Sequence, residues 1–229
     1  MGSEAKSGNY FLMCERKWIY HTLITVAGFY GAFTYLLRGN VFCNAQTGNV
    51  VLMGMALGSG EWGHALYYLI PISAYLMGAL ISELVPNPIK HHLPLRWDTM
   101  LIAIEMAVVI ALGFVPESAP VQISQVAINF IASMQYNTFR SMQGQGVSTV
   151  FCTNNLRQAV IHYWHYKKSS DKNQIVYMSV YIFVIAVFAL GVTAGFFLSH
   201  HLGVKAILVC DIVMLYVFLK LHFHGHKFM

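Results

Sequence analysis

Two similar polar stretches interrupt the apolar sequence, and their residue types could bind a solute. The first, residues 41–49, reads V-F-C-N-A-Q-T-G-N, and the second, residues 150–157, reads V-F-C-T-N-N-L-R. Each leads into a short helical pattern. Amide and hydroxyl side chains at a helix start can cap the free backbone N–H groups. They can instead share a ligand with those N–H groups and with the partial positive charge of the helix end. The stretches therefore predict interrupted helices that are either capped or solute-binding.

Polar residues also follow one face of a predicted helix at 121–142. Gln122, Gln125, Asn129, Tyr136 and Arg140 recur at steps that place them on that face. A membrane helix cannot present amides to lipid, so this face must contact other helices or line a water-filled cavity. From the two stretches and this face we predict the following substrate-binding residues: Asn44, Gln46, Thr47, Asn49, Gln125, Asn129, Tyr136, Asn137, Arg140, Thr153, Asn154, Asn155 and Arg157.

Glu105 and Asp211 are the clearest acids inside apolar segments. Intramembrane carboxyl groups are candidates for function, so we predict proton coupling at both. The alternative is a structural role in which each carboxyl is hydrogen-bonded. The histidines lie at segment ends or in the tail, and no HExxH, GxSxG or phosphate-binding loop is present. We therefore expect no metal, no cofactor and no enzymatic activity.

The composition is typical of an integral membrane protein. Of the 229 residues, 57% are hydrophobic and only 10% are Asp, Glu, Lys or Arg, whereas about a quarter are charged in soluble domains. The net charge of +5 comes from short loops and tails, where basic residues orient helices in the bilayer. This distribution indicates a lipid bilayer as partner and does not indicate nucleic acid.

The hydrophobic pattern predicts an all-α polytopic fold in a single membrane domain, residues 1–229. The second segment has thirteen residues, so it covers only about 20 Å of a hydrocarbon core about 30 Å thick. A half-helix is therefore expected there. The predicted segments are 18–37, 47–59, 62–85, 99–115, 121–142, 147–166, 174–199 and 204–221.

The two halves resemble each other. Thr153 follows Thr47 by 106 residues, and Asp211 follows Glu105 by the same interval. Repeat one covers about 18–116 and repeat two about 120–222, each as span, broken half-helix, span, span. If the half-helices cross the membrane, there are eight crossings and the repeats are parallel. If they re-enter, there are six crossings and the repeats are inverted. The positive-inside rule favours six, with both termini in the cytoplasm and Glu117 outside.

The two motifs resemble those of a known family. The stretch 42–49, F-C-N-A-Q-T-G-N, is similar to the N-A-Q-T-G-N signature of YoaK-like bacterial membrane proteins, and 135–140 and 152–157 resemble its second signature. The family is a domain of unknown function, so the resemblance implies a fold and a location in the bacterial cytoplasmic membrane. Related members usually have Thr-Gly-Asn in the second motif, where this chain has Asn154.

Together these features predict a secondary transporter of a small polar or anionic solute. Polar half-helix ends at the midplane are typical of inverted-repeat transporters. A channel-like facilitator and a non-transporting scaffold or sensor are the alternatives. The glycine-rich helix faces suit packing within or between subunits, including a homodimer.

Overall fold

The computed structural model describes residues 12–85 and 96–224. The predictions for the first eleven residues, for the loop at 86–95 and for the tail beyond 224 lie outside this part. The described chain forms eight α-helices, with short 3-10 turns at Met13–Glu15 and Gly203–Ile207. The helices are α1 Lys17–Leu37, α2 Gln46–Gly58, α3 Trp62–Leu84, α4 Trp97–Gly113, α5 Val121–Thr138, α6 Cys152–Ser169, α7 Lys172–Leu202 and α8 Leu208–His224.

Long apolar helices dominate the molecule. Trp62–Leu84 is long and apolar enough to cross a bilayer, and so is the helical stretch Lys172–Phe223, which includes α7 and most of α8. Large apolar side chains are exposed on the outside of several helices, among them Val51, Met55 and Leu190. Soluble monomers rarely expose such extensive apolar surface, so this exterior suits lipid.

Helices α1 and α7 pack closely because glycines remove side-chain bulk between them. A β-carbon at Gly28 would overlap the carbonyl oxygen of Phe188, and one at Gly191 would overlap that of Thr25. Further along, a β-carbon at Gly195 would lie 2.9 Å from the carbonyl oxygen of Phe29. The contacting positions advance together on both helices, so α1 and α7 run parallel.

Helices α3 and α5 form a second parallel pair. Three side chains of this pair hydrogen-bond across it at a constant interval along the chain. Tyr67 donates to Gln125, Ser133 donates to the carbonyl of Tyr75, and Asn137 donates to the carbonyl of Ala79, each across 58 residues. A β-carbon at Gly78 would overlap the carbonyl oxygen of Phe130. In addition, α2 packs on α3, α6 packs on α7, and α4 packs against α8.

The contacts define two ends of the molecule. At the first, named here the Arg38 end, the guanidinium of Arg38 donates to the carbonyls of Val115 and Pro116. This end therefore holds the C-terminus of α1 and the turn between α4 and α5. At the opposite end, the Lys17 end, Trp97 at the start of α4 donates to Thr138 at the end of α5.

One predicted helix is shorter in the structure, and another extends further. α5 ends at Thr138, so Arg140 lies beyond it, and the strands Ser141–Met142 (β1) and Gln145–Gly146 (β2) pair antiparallel. Gln143 and Gly144 connect them with positive φ angles of 52° and 81°, which suit a two-residue hairpin turn. The second half-helix begins at Cys152 and has 18 residues. The predicted segment at about 147–166, a polar stretch and its half-helix, therefore consists of the non-helical residues 147–151 followed by this helix, which continues to Ser169.

Candidate functional site

The two polar stretches meet in the interior of the molecule. After α1 ends, the chain turns back along it, and Asn44 Nδ2 donates to the carbonyl of Ala27 at 3.4 Å. The same nitrogen lies 3.5 Å from the carbonyl oxygen of Val150, its acceptor in the second stretch. Ala27 is halfway along α1. The contact between the stretches therefore lies midway between the two ends.

The helices that follow the stretches both begin at this depth. α2 starts at Gln46 and α6 starts at Cys152, and no side chain caps either start with a hydrogen bond. An uncapped first turn leaves backbone N–H groups available and carries partial positive charge. α2 then runs toward α3 at the Arg38 end, while α6 runs toward the start of α7 at the Lys17 end.

A cavity of about 510 Å³ lies between these two helix starts. Arg157 is exposed, it has no carboxylate partner among the described residues, and its guanidinium donates to Asn154 Oδ1 at 3.3 Å. The cavity therefore combines two helix N-termini with one guanidinium charge, an arrangement that favours anions. Its lining consists of Ala45, Gln46, Thr47, Tyr75, Phe151, Thr153, Asn154 and Arg157.

A second cavity, of about 420 Å³, shares Asn154 with the first. Arg140 lies on its wall, donates to Asn137, and forms an ion pair with Glu83 at 2.6 Å. The charge of Arg140 is therefore balanced, unlike that of Arg157. The lining is Tyr136, Asn137, Arg140, Gly146, Val147, Ser148, Asn154 and Gln158.

Several predicted substrate-binding residues line neither cavity. Gln46, which does line the first cavity, hydrogen-bonds to two of them. Its Nε2 donates to Asn129, and its Oε1 accepts from Asn49 at 3.0 Å. Asn129 in turn donates to the carbonyl of Gln125 at 2.7 Å. Gln125 also accepts from Tyr67 and donates to the carbonyl of Arg38 at 2.8 Å. Asn49, Gln125 and Asn129 are thus buried hydrogen-bonding residues behind the cavity wall.

Asn155 is also buried, and its side chain holds the loop before α6. Its Oδ1 accepts from the N–H of Ser148 at 3.1 Å. Its Nδ2 donates to the carbonyls of Ser148 at 2.9 Å and Phe151 at 3.1 Å. The neighbouring Asn154 points instead into both cavities. Asn154 therefore contributes a polar side chain to the walls of both cavities.

Glu105 and Asp211 lie away from both cavities. They occupy α4 and α8, which pack on each other, and neither helix contributes to either cavity lining.

Aromatic residues of the site were missed in the sequence. Phe151 contacts Tyr136 with ring centroids 4.9 Å apart and Tyr75 at 6.2 Å. Phe151 could have been selected because it immediately precedes the second helix start. Tyr75 carries no such signal, because its position in the site depends on the packing of α3 against α5.

An all-α fold with long apolar helices, an apolar exterior and polar side chains gathered inside defines a membrane protein. The chain belongs to the family described as "Protein of unknown function (DUF1275)", which matches residues 19–220. This match confirms the membership inferred from the paired motifs.

One curated relative is the UPF0700 transmembrane protein YoaK of Bacillus subtilis (strain 168), with 25% identity over 144 residues. The aligned region covers 62% of this chain and 64% of that protein, slightly less than two thirds of the relative's length. No solved structure matches the chain.

Proposed function

We propose that this membrane protein is a secondary transporter of a small polar or anionic solute. The observation that carries the proposal is the 510 Å³ cavity between two uncapped helix starts. Backbone N–H groups, hydroxyls, amides and one guanidinium can together replace the hydration of an anion. The solute binds among Gln46, Thr47, Thr153, Asn154 and Arg157.

The transmembrane arrangement in this proposal has six crossings and two re-entrant segments. α1 ends and α3 begins at the Arg38 end, so the segment between them, which includes α2, enters and leaves on one side. α5 ends and α7 begins at the Lys17 end, so α6 enters and leaves on the other side. The pairing of α1 with α7 matches that of α5 with α3, which supports inverted repeats at about 18–116 and 120–222.

Charge supports an orientation in the bacterial cytoplasmic membrane. The Lys17 end carries Arg16, Arg96 and the Lys167–Lys172 segment, whereas the Arg38 end carries Glu61 and Glu117 and only two basic residues among those described, Arg38 and Lys205. The Lys17 end, and with it both termini, therefore faces the cytoplasm.

Alternating access is favoured over an open channel. The Arg38 end is closed by hydrogen bonds from Arg38 to two carbonyls and from Gln125 to the Arg38 carbonyl. The two cavities share Asn154, and the second is lined by residues near the Lys17 end. A site that is closed on one side and reachable from the other fits a transporter in one of its two states.

A thermal-shift screen on purified protein tests the proposal. The panel contains inorganic phosphate, sulfate, nitrate, small carboxylates, amino acids and nucleobases. A compound that binds only the folded state stabilises it by about 2.7 kcal/mol when its concentration is a hundred times Kd. The unfolding temperature rises as a result. We expect one class to stabilise the wild type and to lose this effect in Arg157→Gln and Thr153→Ala.

Arg16→Gln is the matched control, because Arg16 is an exposed arginine outside the cavity. Asn49→Ala and Asn155→Ala are poor probes, because both side chains make buried structural hydrogen bonds. A stabilising compound that acts equally on Arg157→Gln would place binding elsewhere. If no compound in the panel stabilises the protein and none is taken up into liposomes, a scaffold or sensor would be favoured. Passive flux in the absence of any gradient coupling would favour a facilitator.

A further inference from the structure

Two carboxyl groups without partners lie inside the helix bundle, away from the cavities. Glu105, in the middle of α4, is fully buried. Neither of its oxygens has a hydrogen-bond partner among the described residues, and the same holds for both oxygens of Asp211. Asp211 lies in the first turn of α8, which packs against α4. Polar groups in this state are uncommon in folded proteins and require an explanation.

The surroundings supply no compensating positive charge. The titratable groups that face this pair are Tyr30 from α1 and Cys210 from α8, and they lie within electrostatic range of Glu105 and Asp211. Glu105 and Asp211 are also within range of each other. No lysine, arginine or histidine among the described residues forms an ion pair or a hydrogen bond with either carboxyl. The hydroxyl of Tyr30 donates to the sulfur of Met214 at 3.5 Å and not to a carboxylate.

These surroundings decide the charge that the pair can carry. A buried carboxylate without a cation or a hydrogen-bond donor is strongly disfavoured against its protonated form. Two neighbouring carboxylates also repel each other, which disfavours the second ionisation further. The pair must therefore hold at least one proton, or a cation that performs the same function.

We propose that Glu105 and Asp211 form a single proton-binding site, separate from the solute cavity, that exchanges one proton between a singly charged and a neutral state. The proton is taken from water onto a carboxylate oxygen and is later returned to water, and no other bond changes. This inference rests on the proposed transport function, because it assigns the coupling ion and separates its site from the solute site.

The two acids of the pair lie at different depths. Asp211 follows the 3-10 turn Gly203–Ile207 at the Arg38 end, and its residue is partly exposed. Glu105 is fully buried and lies deeper, near the middle of α4. Asp211 therefore lies nearer the Arg38 end than Glu105 does, although both of its carboxyl oxygens are buried.

Infrared spectroscopy of the protein in liposomes tests the site without knowledge of the solute. The C=O stretching band of a protonated, buried carboxyl group is followed from acid to alkaline pH. In wild type we expect such a band near neutral pH and its loss at alkaline pH. Glu105→Gln and Asp211→Asn should each shift its titration, and the double variant should abolish it. Both substitutions preserve side-chain volume, and either single variant gives the result if the double variant does not fold.

Glu117→Gln is the matched control, because Glu117 is an acid in the turn between α4 and α5, outside the pair. A titrating band that persists in the double variant would overturn the inference. Absence of such a band in the wild-type protein would overturn it too. So would stabilisation of the wild type, but not of the double variant, by Na⁺, because the bound ion would then be a metal cation.

The thermal-shift screen separates this inference from the proposed function. If a compound stabilises the wild type through Arg157 while the carboxyl band is absent, the solute site stands and the proton site fails. If the band titrates as expected and no compound binds, the proton site stands and the solute proposal fails.

Discussion

Neighbouring asparagines in the second polar stretch have different environments. Asn154 lines both cavities and accepts a hydrogen bond from Arg157. Asn155 is buried and makes three hydrogen bonds to the backbone of the preceding loop. The residue types alone could not separate these roles, because the direction of each side chain depends on where α6 begins.

Asn155→Ala should therefore reduce stability more than Asn154→Ala. Removal of the Asn155 amide leaves the N–H and carbonyl of Ser148 buried without their partners, which costs about 2 kcal/mol. Asn154→Ala removes only one hydrogen bond to an exposed arginine and should change the free energy of unfolding by less than about 0.5 kcal/mol. Thermal unfolding in detergent compares the two variants. Equal losses would contradict the structural role of Asn155.

At the scale of helices, the fold depends on glycines that allow backbone contact. α1 packs on α7 at Gly28, Gly191 and Gly195, and α3 packs on α5 at Gly78. The spacing of small residues in the sequence predicted close packing on these faces. It could not predict which helices pair, because every membrane helix with a glycine face is a suitable partner for another.

Gly191→Ala should separate α1 from α7. The added β-carbon would overlap the backbone of Thr25, which cannot move without the whole helix, so we expect a loss of about 1–3 kcal/mol. Gly54→Ala is the control, since a β-carbon there meets no atom within 4 Å. Because alanine favours helix over glycine, this control should be neutral or more stable by up to about 1 kcal/mol. If Gly191→Ala leaves the free energy of unfolding unchanged in the same assay, the close packing of α1 on α7 is refuted.

The hairpin between α5 and α6 was not predicted from the hydrophobic and polar periodicity of the sequence. The polar face of α5 continues in register to Arg140, so the sequence predicted helix to residue 142. The structure ends the helix at Thr138 and forms β1 and β2 instead. Gly144 signals a turn, but the competing helical periodicity was stronger in the linear sequence. The hairpin places Gly146 on the wall of the second cavity, which no periodicity could predict.

At the scale of the whole molecule, the two ends differ in charge. Most basic residues lie at the Lys17 end, whereas the Arg38 end has the acids Glu61 and Glu117 together with Arg38 and Lys205. The sequence predicted this asymmetry because loop charges can be read directly from the chain. The depth at which the polar stretches meet could not be read in that way, since it depends on how far the segment after α1 turns back.

Cysteine labelling in intact bacterial cells checks the orientation. In a background without the four native cysteines, Glu117→Cys should react with a membrane-impermeant maleimide from outside. Lys168→Cys should react only after the cells are opened, because the proposed topology places the Lys17 end in the cytoplasm. The opposite pattern would invert the proposed topology, and labelling of both from outside would exclude six crossings.

The polar contacts at the two ends also differ in their exposure to water. Arg38 is fully buried and binds backbone carbonyls, whereas the Arg140–Glu83 pair on the rim of the second cavity is more than half exposed. Exposed ion pairs contribute little to stability and are weakened further by salt, whereas buried contacts are screened much less. Raising the ionic strength should therefore weaken the Arg140–Glu83 contact at the Lys17 end more than the Arg38 contacts at the opposite end. Access to the cavities from the Lys17 end then becomes sensitive to salt, and access from the Arg38 end does not.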